Sequence, residues 1–168
     1  MTQGSPNQPQ HSMGDLVFDY EHPDTAHAAP GRRWGVITGG GVFPEMVGPM
    51  FITYDDLAPG EPARFGVRIL PRHCNGVHVA HGGLLSTFLD TAFAQSLLSA
   101  IEVDWNVPTI NLVTDFLSAA VEGEWLESRV QLTHATGRMA FLSGTVLAGE
   151  RLVLRGQAIF KITRKARA

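Results

Sequence analysis

Cysteine is almost absent: the chain of 168 residues has one, Cys74, so no internal disulfide forms. A lone thiol fits a reducing compartment. Charge is also scarce, at 17% of residues with a net of −3. Such a balance builds no basic surface for nucleic acid. No run reaches the roughly 18 apolar residues of a membrane span, and Asp90 interrupts the longest apolar stretch. Residues Met1 to Pro30 are rich in Gln, Pro, His, Gly and Ser. They lack the basic start and apolar run of a secretory signal and read as an unstructured tail. A cytoplasmic location is the expectation. Two familiar catalytic loops are missing as well. Gly39-Gly40-Gly41 is not followed by Gly-Lys-Ser/Thr, so it is no phosphate loop. Ser86, Ser96 and Ser99 sit in no Gly-x-Ser-x-Gly elbow.

What the chain does have is apolar substance, 44% of its residues. That suffices for one domain with a core of its own. With so little charge, part of the apolar surface is expected to lie between subunits. Met50 to Leu57 reads as a strand, and Ala63 to Leu70 as another. In the second, Phe65, Val67 and Ile69 alternate with Arg64 and Arg68. Arg72 to His81 is an irregular loop. Gly82 to about Ile101 reads as a helix that is apolar nearly all round, hence one wrapped by other structure. From Thr109 the period becomes that of strands. These run from Thr109 to Ser118, Trp125 to Thr133, Arg138 to Leu147 and Leu152 to Ile162, joined by short turns. One long helix within an antiparallel meander makes an α+β domain, its sheet curved around the helix. Arg32 to Pro49 yields no assignment.

Asp90 is the conspicuous residue. A carboxylate inside an apolar helix costs several kcal/mol, roughly, unless it is paired or protonated. Its neighbours on one stripe are Gly83, Thr87 and Ala94, small or hydroxylic side chains that leave a groove. Two explanations stay open: a working group, or a structural bond to buried backbone or to Arg68 or Arg138. The helix start, His81-Gly82-Gly83, exposes backbone N–H groups and the positive end of the helix dipole. It is either an oxyanion-stabilising corner or a tight entry turn. The loop before it holds His73, Cys74, Asn75, His78 and His81. Three histidines and a cysteine suggest zinc, yet no second paired cluster exists, and no metal is expected. Asn75 offers a neutral amide that could donate to an oxyanion or hold a carboxylate.

The joint pattern is Asn75-Gly76, four residues, His81-Gly82-Gly83, six residues, then Asp90-Thr91-Ala92. It closely resembles the signature of hotdog-fold acyl-CoA thioesterases of the phenylacetate-pathway (PaaI-like) type. The likeness runs from about Met50 to Ile162. It implies a hotdog fold, a curved antiparallel sheet wrapped around one long central helix, as a single domain over residues 31–168. It implies Asp90 as nucleophile or general base, with Asn75 positioning that carboxylate or its water. The Gly82 N–H would polarise the thioester carbonyl, and His81 would orient the turn. Thr109 would orient the water, and Gly137 and Arg138 would contact coenzyme A. Gly83 and Thr87 lie on the groove where substrate would rest. No cofactor is implied beyond the coenzyme A of the substrate. The resemblance also implies a homodimer with sheets joined edge to edge, often doubled to a tetramer, with Asn75 and Gly82 of one chain facing Asp90 and Thr109 of the other. The helix rise agrees: Gly82 and Asp90 stand roughly 10–12 Å apart along one helix.

Two other functions fit the same residues. A hydratase or dehydratase of acyl thioesters would pair His78 or His81 with Asp90. A non-catalytic acyl-CoA binder would need no carboxylate in the groove. The acyl group itself is not legible, since Phe88, Leu89, Phe93 and Trp105 read as core more readily than as pocket.

Overall fold

The computed structural model describes residues 17–38, 41–59, 61–101 and 105–164. Its elements are β1 (Val17–Asp19), β2 (Gly35–Thr38), α1 (Val42–Val47), β3 (Met50–Thr53), β4 (Arg64–Arg68) and α2 (Gly82–Ala100). After the helix come β5 (Trp105–Asn106), β6 (Thr109–Phe116), β7 (Trp125–Ala135), β8 (Met139–Ala148), β9 (Arg151–Lys161) and β10 (Thr163–Arg164). Eight strands form one antiparallel sheet in the order β1-β2-β3-β4-β7-β8-β9-β6, while β5 and β10 pair separately. Consecutive strands joined by tight turns become neighbours, which is why β7, β8 and β9 lie side by side. The strand before the helix and the strand after it do not pair, so β6 ends up at the edge.

α2 packs across β4, β6, β7, β8 and β9. Phe88, Leu89, Ala92, Phe93 and Leu97 are fully buried there. Burial of side chains this large contributes roughly 1.5–3 kcal/mol each for the leucines and phenylalanines. Phe88, Leu89 and Phe93 are therefore core residues. Two glycines admit them. Gly144 and Gly156 face each other across β8 and β9. A Cβ on Gly144 would stand 2.8 Å from a Phe93 ring carbon, and one on Gly156 would stand 2.8 Å from Leu89 Cδ2. The helix thus rests where the sheet has no side chains.

As expected, one antiparallel sheet packs along the long helix; it covers one side, and the stripe of Gly83, Thr87, Asp90 and Ala94 is exposed or half-buried. One correction concerns the chain start. Residues 1–16 lie outside the described residues, as do Gly39 and Gly40. Residues 17–30, expected as unstructured tail, instead supply β1 and a 3-10 turn over Pro23–His27. Arg68 holds that turn by donating from Nε to the His27 carbonyl at 3.0 Å. Behind the sheet, Trp34, Val36 and Phe51 form a smaller buried cluster against Trp125. Trp34 and Trp125 meet edge to face with centroids 4.9 Å apart. These residues cap the sheet face turned away from α2. The stretch Arg32 to Pro49, unassigned from sequence, contributes β2 and α1.

The glycine packing yields a stability test. Gly156→Ala should cost about 1–3 kcal/mol by overpacking, read as a lower midpoint in urea unfolding with unchanged slope.

Candidate active site

α2 begins where the chain leaves an irregular loop. His81 caps it, its Nδ1 accepting the Gly83 N–H at 2.9 Å. That bond satisfies one orphan donor of the first turn. The Gly82 N–H has no acceptor among the described residues and remains available. Gly82 packs against the Phe116 ring, which a Cβ there would approach to 3.2 Å, so a side chain would disturb this corner.

The loop is braced by its own amides. Asn75 Oδ1 accepts the N–H of Val77 at 3.0 Å and of Val79 at 3.3 Å. The Asn75 N–H donates to the Val79 carbonyl at 2.8 Å. Asn75 is exposed and does not touch Asp90 within this chain; its amide NH2 has no partner among the described residues. His78 holds a positive φ of 59° at the loop tip, and its Nδ1 lies 3.5 Å from Glu122. His73 is the histidine that sequence reasoning undervalued. It is 4% exposed. Its Nδ1 accepts the Leu70 N–H at 3.1 Å, so its Nε2 carries the proton and donates to the Gly48 carbonyl at 3.3 Å. Its own carbonyl accepts the His81 N–H at 2.9 Å. Burial pushes its pKa below the usual histidine value. His73 is a neutral staple between the end of α1 and the start of α2. Among the described residues no three His, Cys, Asp or Glu side chains are grouped to hold a metal. Likewise, no helix among them is long and apolar enough to cross a membrane.

Asp90 lies two turns into α2, half-buried. Neither Arg68 nor Arg138 reaches it. Its partner is Thr109 at the start of β6, whose Oγ1 donates to Asp90 Oδ1 at 2.9 Å. Burial raises the Asp90 pKa above the ordinary carboxylate value, and the Thr109 bond opposes that rise. A carboxylate held this way is more basic than a solvated one, yet fixed in orientation. Thr87, one turn earlier, and Gly83 continue the open stripe toward the cap.

Arg138 and Gly137 lie in the exposed β7–β8 turn. They do not contact Asp90, but register places them at its end of the sheet. Thr109 pairs with Phe160, and Phe160 with Ala140. The next row carries Ile162 N–H donating to the Arg138 carbonyl at 2.8 Å. The structure therefore brings Asp90 and Thr109 together, and His81 with Gly82 and Gly83. The two groups stay separate along the helix.

Comparison with known proteins assigns the class. Residues 78–154 match the model of the thioesterase superfamily. The chain is 33% identical over 118 residues to a Pseudomonas aeruginosa protein named "Putative esterase PA0474", covering 70% of this chain and 86% of that one. The chain belongs to the thioesterase superfamily, hotdog-fold hydrolases of thioesters. Solved structures with the same fold include conserved protein PA5202 of Pseudomonas aeruginosa, with TM-score 0.65, 23% identity, and coverage of 73% of this chain and 94% of that one. A mutant of the phenylacetic acid degradation protein PaaI of Thermus thermophilus gives TM-score 0.60 at 24% identity, covering 71% and 96%. The Bacillus halodurans protein BH2602, solved with CoA, gives 0.58 at 21%, covering 62% and 70%.

The Asp90–Thr109 bond makes a signed prediction. Thr109→Val removes the interaction that lowers the carboxyl pKa, so the Asp90 midpoint should move further up, as read by carboxyl carbon NMR titration. Because the folded pKa exceeds the unfolded one, stability from this group is present below the unfolded pKa and lost as pH rises through the folded value. Asp90→Asn should therefore raise the melting temperature near neutral pH, with a smaller gain in acid.

Proposed function

We propose that the protein hydrolyses an acyl-CoA thioester to free acid and coenzyme A, with Asp90 as nucleophile or general base. The observation that carries this reading is the Asp90–Thr109 pair: a half-buried carboxylate of raised basicity, oriented by a hydroxyl, on the open stripe of a helix. As a base, Asp90 takes a proton from water while the water oxygen bonds to the carbonyl carbon. The C–S bond then breaks and the thiolate of coenzyme A takes up a proton. The Gly82 N–H stabilises the carbonyl oxygen as charge develops there, a contribution of about 3–4 kcal/mol for a well-placed donor. Thiolate is a good leaving group, so positioning, one donor and one carboxylate suffice. Gly137 and Arg138, at the Thr109 end of the sheet, are the proposed coenzyme A contacts. That the Bacillus halodurans neighbour was solved with CoA supports a CoA ester as ligand.

The site we propose is shared by two copies of the chain. Gly82 and Asp90 are eight residues apart on one helix, about 12 Å by helix rise. That is too far for one carbonyl to meet both. β6 is an edge strand, and its Ile110, Val113 and Phe116 are 54%, 45% and 53% exposed. Such an edge is a template for pairing with another chain. Pairing β6 with its copy joins two sheets into one, and Asn75 with Gly82 of one copy then serves Asp90 with Thr109 of the other. A dimer of such dimers is consistent with the low charge.

A hydratase needs a histidine beside the carboxylate. His81 Nδ1 is engaged by Gly83 and His78 faces Glu122, so nothing here favours that chemistry.

Asp90→Asn should lower CoA release from a cleaved acyl-CoA at least about a hundredfold; full activity would refute the assignment, and tight binding without turnover by the unmodified chain would make it a binder. If the site is shared, Asp90→Asn and Asn75→Ala chains, each inactive alone, should regain activity when unfolded and refolded together. Ile110→Arg should shift the mass by light scattering toward monomer and abolish turnover.

A further inference from the structure

The connection from β6 to β7, residues 117–124, backs onto the loop that ends at the helix cap. The Ala80 N–H donates to the Ala120 carbonyl at 2.8 Å, and Val79 pairs with Val121 in an antiparallel bridge. Ala80 and Ala120 are both buried. The next amide, that of His81, donates to the His73 carbonyl at 2.9 Å. The two amides that precede Gly82 are therefore each held by a backbone carbonyl. We propose that Arg151, paired with Glu124, is a positioning residue of the oxyanion corner: it fixes the connection whose Ala120 carbonyl sets the approach to Gly82.

Arg151 opens β9 and turns its guanidinium onto both ends of the connection. Its Nη1 donates to Ser118 Oγ at 2.9 Å and to the Ala119 carbonyl, and its Nη2 donates to Glu124 Oε1. The other carboxylate oxygen, Glu124 Oε2, accepts the Val121 N–H at 2.9 Å. One ion pair thus bonds to Ser118, Ala119 and Val121, and Ala120 lies inside that clamp. The planar fork of a guanidinium serves several acceptors at once, whereas an ammonium on a flexible stem presents a point charge. The connection is also anchored to the sheet at both ends. Ser118 Oγ donates to the Leu152 carbonyl at 2.8 Å, and the Ile69 N–H donates to the Glu124 carbonyl at 2.9 Å. The Gly123 carbonyl accepts from Arg68 Nη1 at 3.0 Å.

The Arg151 and Glu124 side chains are 40% and 28% exposed. An ion pair so open to water contributes little to folding stability. What it supplies is geometry. A backbone N–H stabilises a developing oxyanion only when its direction is fixed before the reaction, and misplacing a reacting group costs rate steeply. The full charge on that oxygen exists only in the transition state, so a loosened corner lowers kcat and leaves KM nearly unchanged. The same strand supplies a comparison. Arg155, four residues on, donates from Nε to Asp115 at 2.8 Å, outside the connection, and both side chains are more than half exposed.

This inference rests on the thioesterase reading, so the experiment separates the two. One measurement is kcat and KM for the best-cleaved of acetyl-, octanoyl-, phenylacetyl- and palmitoyl-CoA. The other is hydrogen exchange of the Ala80 amide, which needs no turnover. Arg151→Ala should lower kcat about tenfold with KM within about twofold. It should also speed Ala80 exchange about tenfold while the amides of β8 keep their rates. Arg151→Lys should recover part of both losses. Glu124→Gln should follow Arg151→Ala, and the two together should lose no more than Arg151→Ala alone, because they act as one unit. Arg155→Ala should stay within about twofold on both measurements. A raised KM at unchanged kcat overturns the assignment, because Arg151 would then contact substrate. So does faster exchange spread through the sheet, or an equal loss in Arg155→Ala, since the pair would then serve stability alone. If the unmodified protein cleaves none of the four esters, hydrolysis falls, and Ala80 exchange still decides whether the clamp stands. If cleavage stands and Arg151→Ala changes neither kcat nor Ala80 exchange, the clamp falls alone.

Discussion

The depth at which α2 sits on the sheet governs the rest of the molecule. It is set where Leu89 and Phe93 press onto Gly156 and Gly144. Protein interiors are close-packed, so a displacement of even a methyl group is transmitted. Asp90 follows Leu89 directly, and Thr109 opens β6, the strand hydrogen-bonded to β9, where Gly156 lies. The Asp90–Thr109 pair is thus positioned by the same contact that builds the core.

That arrangement has an electrostatic cost. Asp90 keeps one side toward the dry helix packing and one toward the open stripe, so burial opposes its charge. Thr109 compensates in part and orients the carboxylate while doing so. The opposite pole of the site lies at the His81 cap, where the helix N-terminus favours negative charge. In the proposed hydrolysis these are the base and the electropositive corner, and their separation along the helix is the reason the proposed site draws on two chains. His73 links the cap to α1 through the Gly48 carbonyl.

Much of the fold was legible. The strands after residue 109 and the helix from Gly82 appear where period-two and all-apolar patterns place them, because burial imposes those patterns on sequence. Boundaries moved by a few residues: β3 stops at Thr53 and β7 continues to Ala135. β1 and the 3-10 turn were not legible, since Val17–Asp19 is too short for a period and its partner β2 is the neighbour that gives it meaning. Cysteine and three histidines in one loop suggested a metal as one option. The structure spends the three histidines separately, on a staple, a loop tip and a cap. Nothing in the residue type announces a buried histidine that bonds a carbonyl far away in sequence.

The sequence by itself determined the chemistry available. Asn75, His81-Gly82-Gly83 and Asp90 are local features whose spacing along loop and helix is a property of the chain. They sufficed for the class of protein and for the order of strand, helix and meander. Tertiary structure decided which groups meet. Thr109 instead of an arginine holds Asp90, because β6 returns beside the helix through its pairing with β9. Residues from the chain start seal the far face of the sheet, and His73 ties α1 to the helix cap. These are contacts between segments distant in sequence. They are selected by packing and register over the whole sheet, a global constraint that no local pattern encodes.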